Sequence, residues 1–461
     1  MATRSATRRV CDRRPLFPWS PSARALPLAL RSPAAVEPAT LAQPPKPAAH
    51  ARRLALMAPA TASHGSTAGP LGTWRMLAAL AVCQALMTTV IAITQSLASI
   101  EARDLSGDVS LSGTGLAAQL AGAIVALVAM QSVVGQRRRL LLTVGFGALT
   151  FGASVAAAGR AIDSFPLFLA GNAILGGGAA TALLLRSLVG DRVPLAERGR
   201  AIAVVASAGI AGAISSPIVI EIATRHLGVA QSDRAVAPWV AAALVASVGL
   251  AVAATVPLTP AAASDLSESA TTSESDPERS RIAIRTAMAA TSAAGIAMVA
   301  MMATVAVQLK HVGASRSAIS TIMAAHYAGM YGFALPFGAM SDRFGRRSVL
   351  VICSLLVIAS ALAFASDPHE YRTFAVVLLL LGSGWSGIFV ASTALFTETG
   401  RFERRSRAVA RNDLVVVVLS SAAALVAGVI YARSGPQAVG LSIVLMFTMI
   451  AAGTRFYERA S

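Results

Sequence analysis

Long apolar runs separated by short polar loops dominate the chain from Trp74 onward. Each run is roughly 20 residues long, the length that a helix needs to cross about 30 Å of hydrocarbon. The strands of a membrane β-barrel would instead give short segments of alternating polarity. We therefore predict twelve membrane-spanning helices, called spans 1 to 12 below. The predicted spans are 75–97, 113–134, 139–159, 165–189, 201–223, 237–256, 284–309, 317–340, 347–366, 373–397, 409–431 and 437–453.

Two polar segments divide the chain into predicted regions. Residues 1–72 form a tail rich in Arg, Pro and Ala, which we expect to be disordered because it cannot bury a core. A targeting segment and a start site placed too early are open alternatives for this tail. Residues 257–283 form a linker rich in Ser, Thr, Asp and Glu, which we expect in the cytoplasm. Two six-helix bundles are therefore predicted, at 73–256 and 284–461.

Composition and charge indicate a membrane protein. The chain is 55% hydrophobic and 13% charged, against roughly 25% charged residues in soluble domains. A net charge of +17 would suggest nucleic acid as the partner of a soluble protein. Here Lys and Arg concentrate in the loops that share the cytoplasmic side if the N-terminus is cytoplasmic. We expect a multi-pass protein of the bacterial inner membrane, with both termini cytoplasmic and no nucleic-acid partner.

The two six-span halves repeat each other. "LVAMQSVVGQRRRLLL" after span 2 aligns with "GAMSDRFGRRSVLV" after span 8, and "AILGGGAATALL" in span 4 aligns with "LLLGSGWSGIFV" in span 10. We expect the glycines of the second pair to let helices approach closely. Parallel six-span repeats enclose a binding site near the middle of the membrane, at their interface. The repeat therefore predicts a solute carrier whose halves rock about a central cavity.

A charged motif joins spans 8 and 9. Its residues are Gly338, Asp342, Arg343, Gly345, Arg346 and Arg347. Together with the six-plus-six topology, this motif resembles that of the major facilitator superfamily, and the resemblance covers about residues 73–456. It implies an all-α, twelve-helix fold of two pseudo-symmetric bundles and secondary transport. The copy after span 2 departs from the pattern, because Ser132 stands where the motif has Asp.

The resemblance implies that the motif forms a cytoplasmic gate. Its arginines could serve only to orient the helices, whereas acidic residues contribute little to orientation. Asp342 therefore needs a partner at the membrane face. We expect the motif to dock against the start of span 5, near residues 197–200, and to release when the halves rock open.

Five polar or aromatic residues within the spans are candidates for a solute or proton pathway: Gln84, Thr88, Asn172, His326 and Trp385. An ionised group at this depth costs roughly 2.5–3.5 kcal/mol, and histidine titrates near neutrality, so His326 could carry a proton or bind the solute. Gln84 and Thr88 share one helix face at i, i+4. Packing inside a bundle is the alternative explanation for Asn172, His326 and Trp385.

These observations predict a secondary active transporter of a small organic solute that works by alternating access. Partial antiporter-like patterns in spans 4 and 5 favour export over import, with proton coupling left open. A transport-inactive membrane sensor or scaffold is the alternative. No nucleotide-binding loop, nucleophile elbow or metal-ligand spacing is present in the sequence, so we expect no enzyme, cofactor or metal. The expected partners are the solute, protons and the lipid bilayer, and we expect a monomer.

Overall fold

The computed structural model describes residues 70–131, 138–182, 195–227, 231–256, 277–397 and 402–460, and nearly all of them are helical. Helices of the first half are Pro70–Ser106, Thr114–Gln131, Arg138–Ala161, Phe165–Ala179, Leu195–Leu227 and Gln231–Thr255, with a 3-10 turn at Val109–Leu111. Helices of the second half are Pro277–His311, Arg316–Gly332, Ala334–Phe344, Arg346–Ala365, Tyr371–Thr397 and Phe402–Ala460.

All twelve predicted spans correspond to helical segments. Among the described residues, nine helices are long and apolar enough to cross a membrane. Span 4 is the shorter apolar helix Phe165–Ala179. Span 8 consists of two helices that meet at Phe333, and spans 11 and 12 are the two arms of Phe402–Ala460. The predicted all-α fold is therefore confirmed.

Two prolines explain where the regular helices are interrupted. In span 8, Pro336 has no N–H to donate, and its ring would clash with the Gly332 carbonyl four residues earlier, so the first helix ends at that glycine. Between spans 11 and 12, Gly435 has φ 69° and ψ −170°, and Pro436 follows it. Glycine adopts such a backbone readily because it has no Cβ.

Helix packing repeats between the halves, as the internal sequence repeat predicts. Span 1 packs on span 5 as span 7 packs on span 11, and spans 2 and 4 pack as spans 8 and 10 do. Close approach at glycines is confirmed in both halves. A Cβ on Gly176 in span 4 would overlap the Gln119 carbonyl of span 2, and one on Gly382 in span 10 would overlap the His326 carbonyl of span 8.

Several predicted boundaries shift. Span 1 continues to Ser106, nine residues beyond the predicted end at position 97, and the helix of span 7 begins at Pro277, inside the predicted linker. The tail up to position 69 and the linker at 257–276 lie outside the described residues, as does the first copy of the charged motif around Ser132.

Candidate functional site: the interface between the bundles

The interface has two ends, named here by one residue each. The Glu101 side is the membrane face where span 1 ends and span 8 begins, and the Asp342 side is the face where span 8 ends and span 9 begins. Contacts between the halves involve spans 1 and 7, 1 and 8, 2 and 11, and 5 and 8.

Glu101 joins the halves at the end of span 1. Its side chain is fully buried. Arg160 of span 3, in the same half, donates from Nε to Oε2 at 2.7 Å, and Arg316 at the start of span 8, in the other half, donates from Nε to Oε1 at 2.9 Å. The carboxylate therefore holds one guanidinium from each half.

A second ion pair and two packing contacts lie on the same side. Asp104 of span 1 and Lys310 of span 7 form a longer pair of 3.9 Å. Ser421 of span 11 donates to the Ala117 carbonyl of span 2 at 3.1 Å. Spans 2 and 11 can approach this closely because Gly113 has no side chain. A Cβ at this position would overlap the backbone of span 11.

Polar contacts between the halves continue towards the middle of the membrane. Tyr327 of span 8 donates from its hydroxyl to Gln95 of span 1 at 2.7 Å. The hydroxyls of Ser216 in span 5 and Ser320 in span 8 lie 3.2 Å apart. The Tyr331 ring and the Thr88 hydroxyl both reach Gly209 of span 5, where a Cβ would lie 3.3 Å from each.

The paired candidates of span 1 lie together, as the i, i+4 spacing predicts. Gln84 donates from Nε2 to the Thr88 hydroxyl at 3.0 Å, and both side chains are buried. Because Thr88 also lies at Gly209 and Tyr331, it is at the interface between the halves.

Asn172 lies inside the first bundle, between spans 2 and 4. It is fully buried, donates to the Phe168 carbonyl at 2.9 Å and accepts from Gln119 Nε2 at 2.8 Å. Both ends of its amide are therefore occupied by its own bundle, as the packing alternative expects.

His326 and Trp385 belong to the second bundle. His326 is fully buried, with Nδ1 3.3 Å from the Leu378 carbonyl of span 10. Its Nε2 has no hydrogen-bond partner within the described part of the chain. Trp385 is half-buried and stacks on Phe389 one turn later, with ring centroids 5.0 Å apart.

The charged motif forms a compact turn on the Asp342 side. Gly345, at φ 86°, ends one helix and begins the next. Arg346 donates to Asp342 Oδ1 at 2.6 Å and to the Ser341 hydroxyl at 3.2 Å. The Asp342 side chain is 77% exposed. The proposed docking partner of the motif, at residues 197–200, has side chains outside the described residues.

The other members of the motif surround this turn. Gly338 lies one helical turn before Asp342, near Val390 of span 10. Arg343 lies over the ring of the neighbouring Phe344, at 5.4 Å from its centroid. Arg347 is exposed in the first turn of span 9.

A cavity of about 850 Å³ opens on the Glu101 side of the second bundle. Its buried polar groups bind one another. Gln308 donates to Asp367 at 2.8 Å and accepts from the Tyr431 hydroxyl. Because this cavity lies mainly within one bundle, we do not assign it to the pathway between the halves.

Comparison with known proteins agrees with this architecture. The sequence profile of the Major Facilitator Superfamily matches residues 286–460, the second bundle. The uncharacterized MFS-type transporter YdeG of Bacillus subtilis strain 168 is 25% identical over 317 residues, which cover 66% of this chain and 73% of that protein.

Solved transporter structures share the fold. A D-xylose-proton symporter superposes with a TM-score of 0.63 and 15% identity, over 82% of this chain and 97% of that one. A bacterial homolog of the human lysosomal transporter Spinster, in an inward-facing and unoccupied conformation, gives a TM-score of 0.59 and 14% identity, over 84% and 96%. The second bundle therefore matches the major facilitator superfamily profile, the chain is similar in sequence to an MFS-type transporter and in fold to solved transporters, and its apolar helices are those of a multi-pass membrane protein.

Proposed function

We propose that the protein moves a small polar organic solute across the plasma membrane by alternating access, and that the structure is the state closed on the Glu101 side. One observation carries the proposal. Among the described residues, the hydrogen bonds between the halves extend from Glu101 at the membrane face to Tyr327 within span 8, and all of them lie towards one side. A transporter that alternates must have a state with such one-sided closure.

The Asp342 side is the cytoplasmic side in this proposal. Arg343, Arg346 and Arg347 lie there, and the positive-inside rule places short basic loops in the cytoplasm. The Glu101 side is then extracellular, and the structure is an inward-facing state. The likeness to an inward-facing Spinster homolog supports this assignment.

The groups at the inner end of the closed interface suit an uncharged polar solute. Gln84 supplies an amide, Thr88 a hydroxyl and Tyr331 a phenol ring, and none of the three carries a charge near neutral pH. Hydroxyls and amides can replace the water around a sugar-like or nucleoside-like molecule. The partial antiporter-like patterns in spans 4 and 5 favour export, so both directions need to be measured.

Counterflow in proteoliposomes tests the proposal. D-xylose and a nucleoside are suitable first probes, since solved relatives of this fold transport them. Saturable exchange of either probe, or of a solute found by thermal-shift screening, is the expected result. If every solute that binds fails to move, the protein is the transport-inactive sensor or scaffold that the sequence left open.

Proton coupling through His326 is a separate part of the proposal. The buried imidazole has one nitrogen without a partner among the described residues, which leaves it available for a proton or a solute hydroxyl. We expect a pH gradient to drive accumulation in the wild type, and His326→Ala to abolish that accumulation while counterflow at equal pH continues. Accumulation that persists in the variant contradicts the proton role.

A further inference from the structure

Glu101 differs from an ordinary surface ion pair in two respects. Its side chain has no exposure to solvent, and the two arginines that hold it are only 17% and 21% exposed. Each carboxylate oxygen has its own guanidinium, and the two guanidiniums come from different halves of the protein. A relative motion of the halves must therefore break one pair and can keep the other.

The position of Arg316 points to a role at the interface rather than in its own helix. It is the first residue of its helix, after the N-cap Ser315, whose hydroxyl accepts from the Ala318 N–H. A cation at a helix N-terminus is unfavourable because the helix dipole is positive there. The ion pair with Glu101 offsets this local cost only while the halves are closed.

We propose that Glu101, Arg160 and Arg316 form a reversible ionic latch, with Arg316 as the partner that leaves and Arg160 as the partner that stays. The latch rests on the proposed alternating access. Stranding a buried carboxylate is strongly destabilising. Because Arg160 belongs to the same half as Glu101, the halves can separate on this side without leaving the carboxylate unpaired.

The neighbouring pair of Asp104 and Lys310 is a weaker contact of the same kind. Its atoms lie 3.9 Å apart, and its side chains are 23% and 31% exposed. Exposed pairs contribute little because water and salt screen them. We therefore assign the latch to Glu101, Arg160 and Arg316 and not to this pair.

The latch predicts opposite effects for its two arginines. Arg316→Gln removes the contact that exists only in the closed state, so the open state gains population. Arg160→Gln removes the contact that exists in both states, and opening then leaves Glu101 without any guanidinium. The closed state therefore gains population. A purely structural role would not give shifts of opposite sign.

Spin-label distance measurements on the full chain in nanodiscs test this prediction. Labels at Leu227→Cys and His369→Cys lie on exposed positions of the two halves on the Glu101 side. Cys11 is replaced by serine, and the buried Cys83 and Cys353 are shielded from the label. The fraction of long distances reports opening on this side and requires neither solute nor flux.

For Arg316→Gln we expect the ratio of open to closed molecules to rise about tenfold, equivalent to about 1.4 kcal/mol. For Arg160→Gln we expect a ratio below that of the wild type. Arg372→Gln removes the same charge from an exposed position on the same side and should match the wild type. If Arg316→Gln does not fold, Arg316→Lys should shift the ratio in the same direction by less, because lysine lacks the planar fork of donors.

Glu101→Gln added to Arg316→Gln should change the ratio of open to closed molecules little further, since the Arg316 contact is already lost and the Arg160 contact that is also removed exists in both states. Shifts of the same sign for Arg160→Gln and Arg316→Gln, or no difference between Arg316→Gln and Arg372→Gln, would overturn the latch. If the arginine variants shift the ratio of open to closed molecules as predicted but no solute is transported, the transport proposal is wrong and the latch stands. If solute is transported but the arginine variants do not shift the ratio of open to closed molecules, the latch is wrong and the transport proposal stands.

Discussion

At the scale of single residues, the Asn172 amide already has partners inside the first bundle. Asn172→Leu would leave the Gln119 amide buried without its acceptor, which costs about 1–3 kcal/mol. We expect a lower melting temperature in detergent with little change in the affinity for any transported solute. Leu at both positions should restore part of the lost stability, because no unpaired amide then remains.

A variant Asn172→Leu that melts like the wild type but no longer binds solute would contradict this structural explanation. Asn172 would then contact the solute, as expected of a residue of the candidate solute pathway.

Local spacing predicted some residue contacts and could not predict others. Gln84 and Thr88 pair at i, i+4, so helix periodicity alone placed them together. Asn172 and Gln119 are 53 positions apart, and only the packing of spans 2 and 4 brings them into contact. Glu101 was missed because the predicted span 1 ended at position 97, which left the carboxylate in a loop. The helix continues to Ser106 and places it inside the protein.

At the scale of elements, Gly345 determines how spans 8 and 9 are joined. Its φ of 86° is strained for a residue with a Cβ, although no atom lies within 4 Å of the position that a Cβ would take. With ψ 154°, Gly345 lies in a region that essentially only glycine adopts, so Gly345→Ala should cost about 1–3 kcal/mol through backbone strain alone and lower the melting temperature. It should also disturb the turn in which Arg346 binds Asp342.

Gly332→Ala is the matched control, because Gly332 has equally open surroundings but an ordinary φ. Alanine in a helix is favoured over glycine, so this variant should melt at or above the wild-type temperature. Equal melting temperatures for the two variants would exclude strain at Gly345 as the reason for a glycine in the motif.

Some element boundaries were predicted from the sequence and others were missed. The Gly435–Pro436 pair lies between the predicted spans 11 and 12, where the structure has the turn, whereas span 8 was predicted as one helix although Pro336 interrupts it. The continuation of span 1 to Ser106 was not predicted, since its last residues include Glu101, Arg103 and Asp104 and lower the local hydropathy. Ion pairs with other spans make that polar extension stable inside the protein.

At the scale of the whole molecule, hydropathy and internal repetition predicted twelve helices in two similar bundles. They could not predict which side is closed, because each bundle buries nearly the same residues in every state of a rocking motion. Only contacts between the halves distinguish the states. The hydrogen bonds among those contacts join residues 104 to 304 positions apart, such as Ser216 with Ser320 and Ala117 with Ser421.

A reversible cross-link between the halves tests the central claim most directly. The hydroxyls of Ser216 and Ser320 are 3.2 Å apart, so cysteines at these positions should form a disulfide while the Glu101 side is closed. We expect oxidation of Ser216→Cys/Ser320→Cys to stop counterflow and reduction to restore it, with each single variant active under both conditions. Full counterflow in the cross-linked protein would contradict alternating access through this interface.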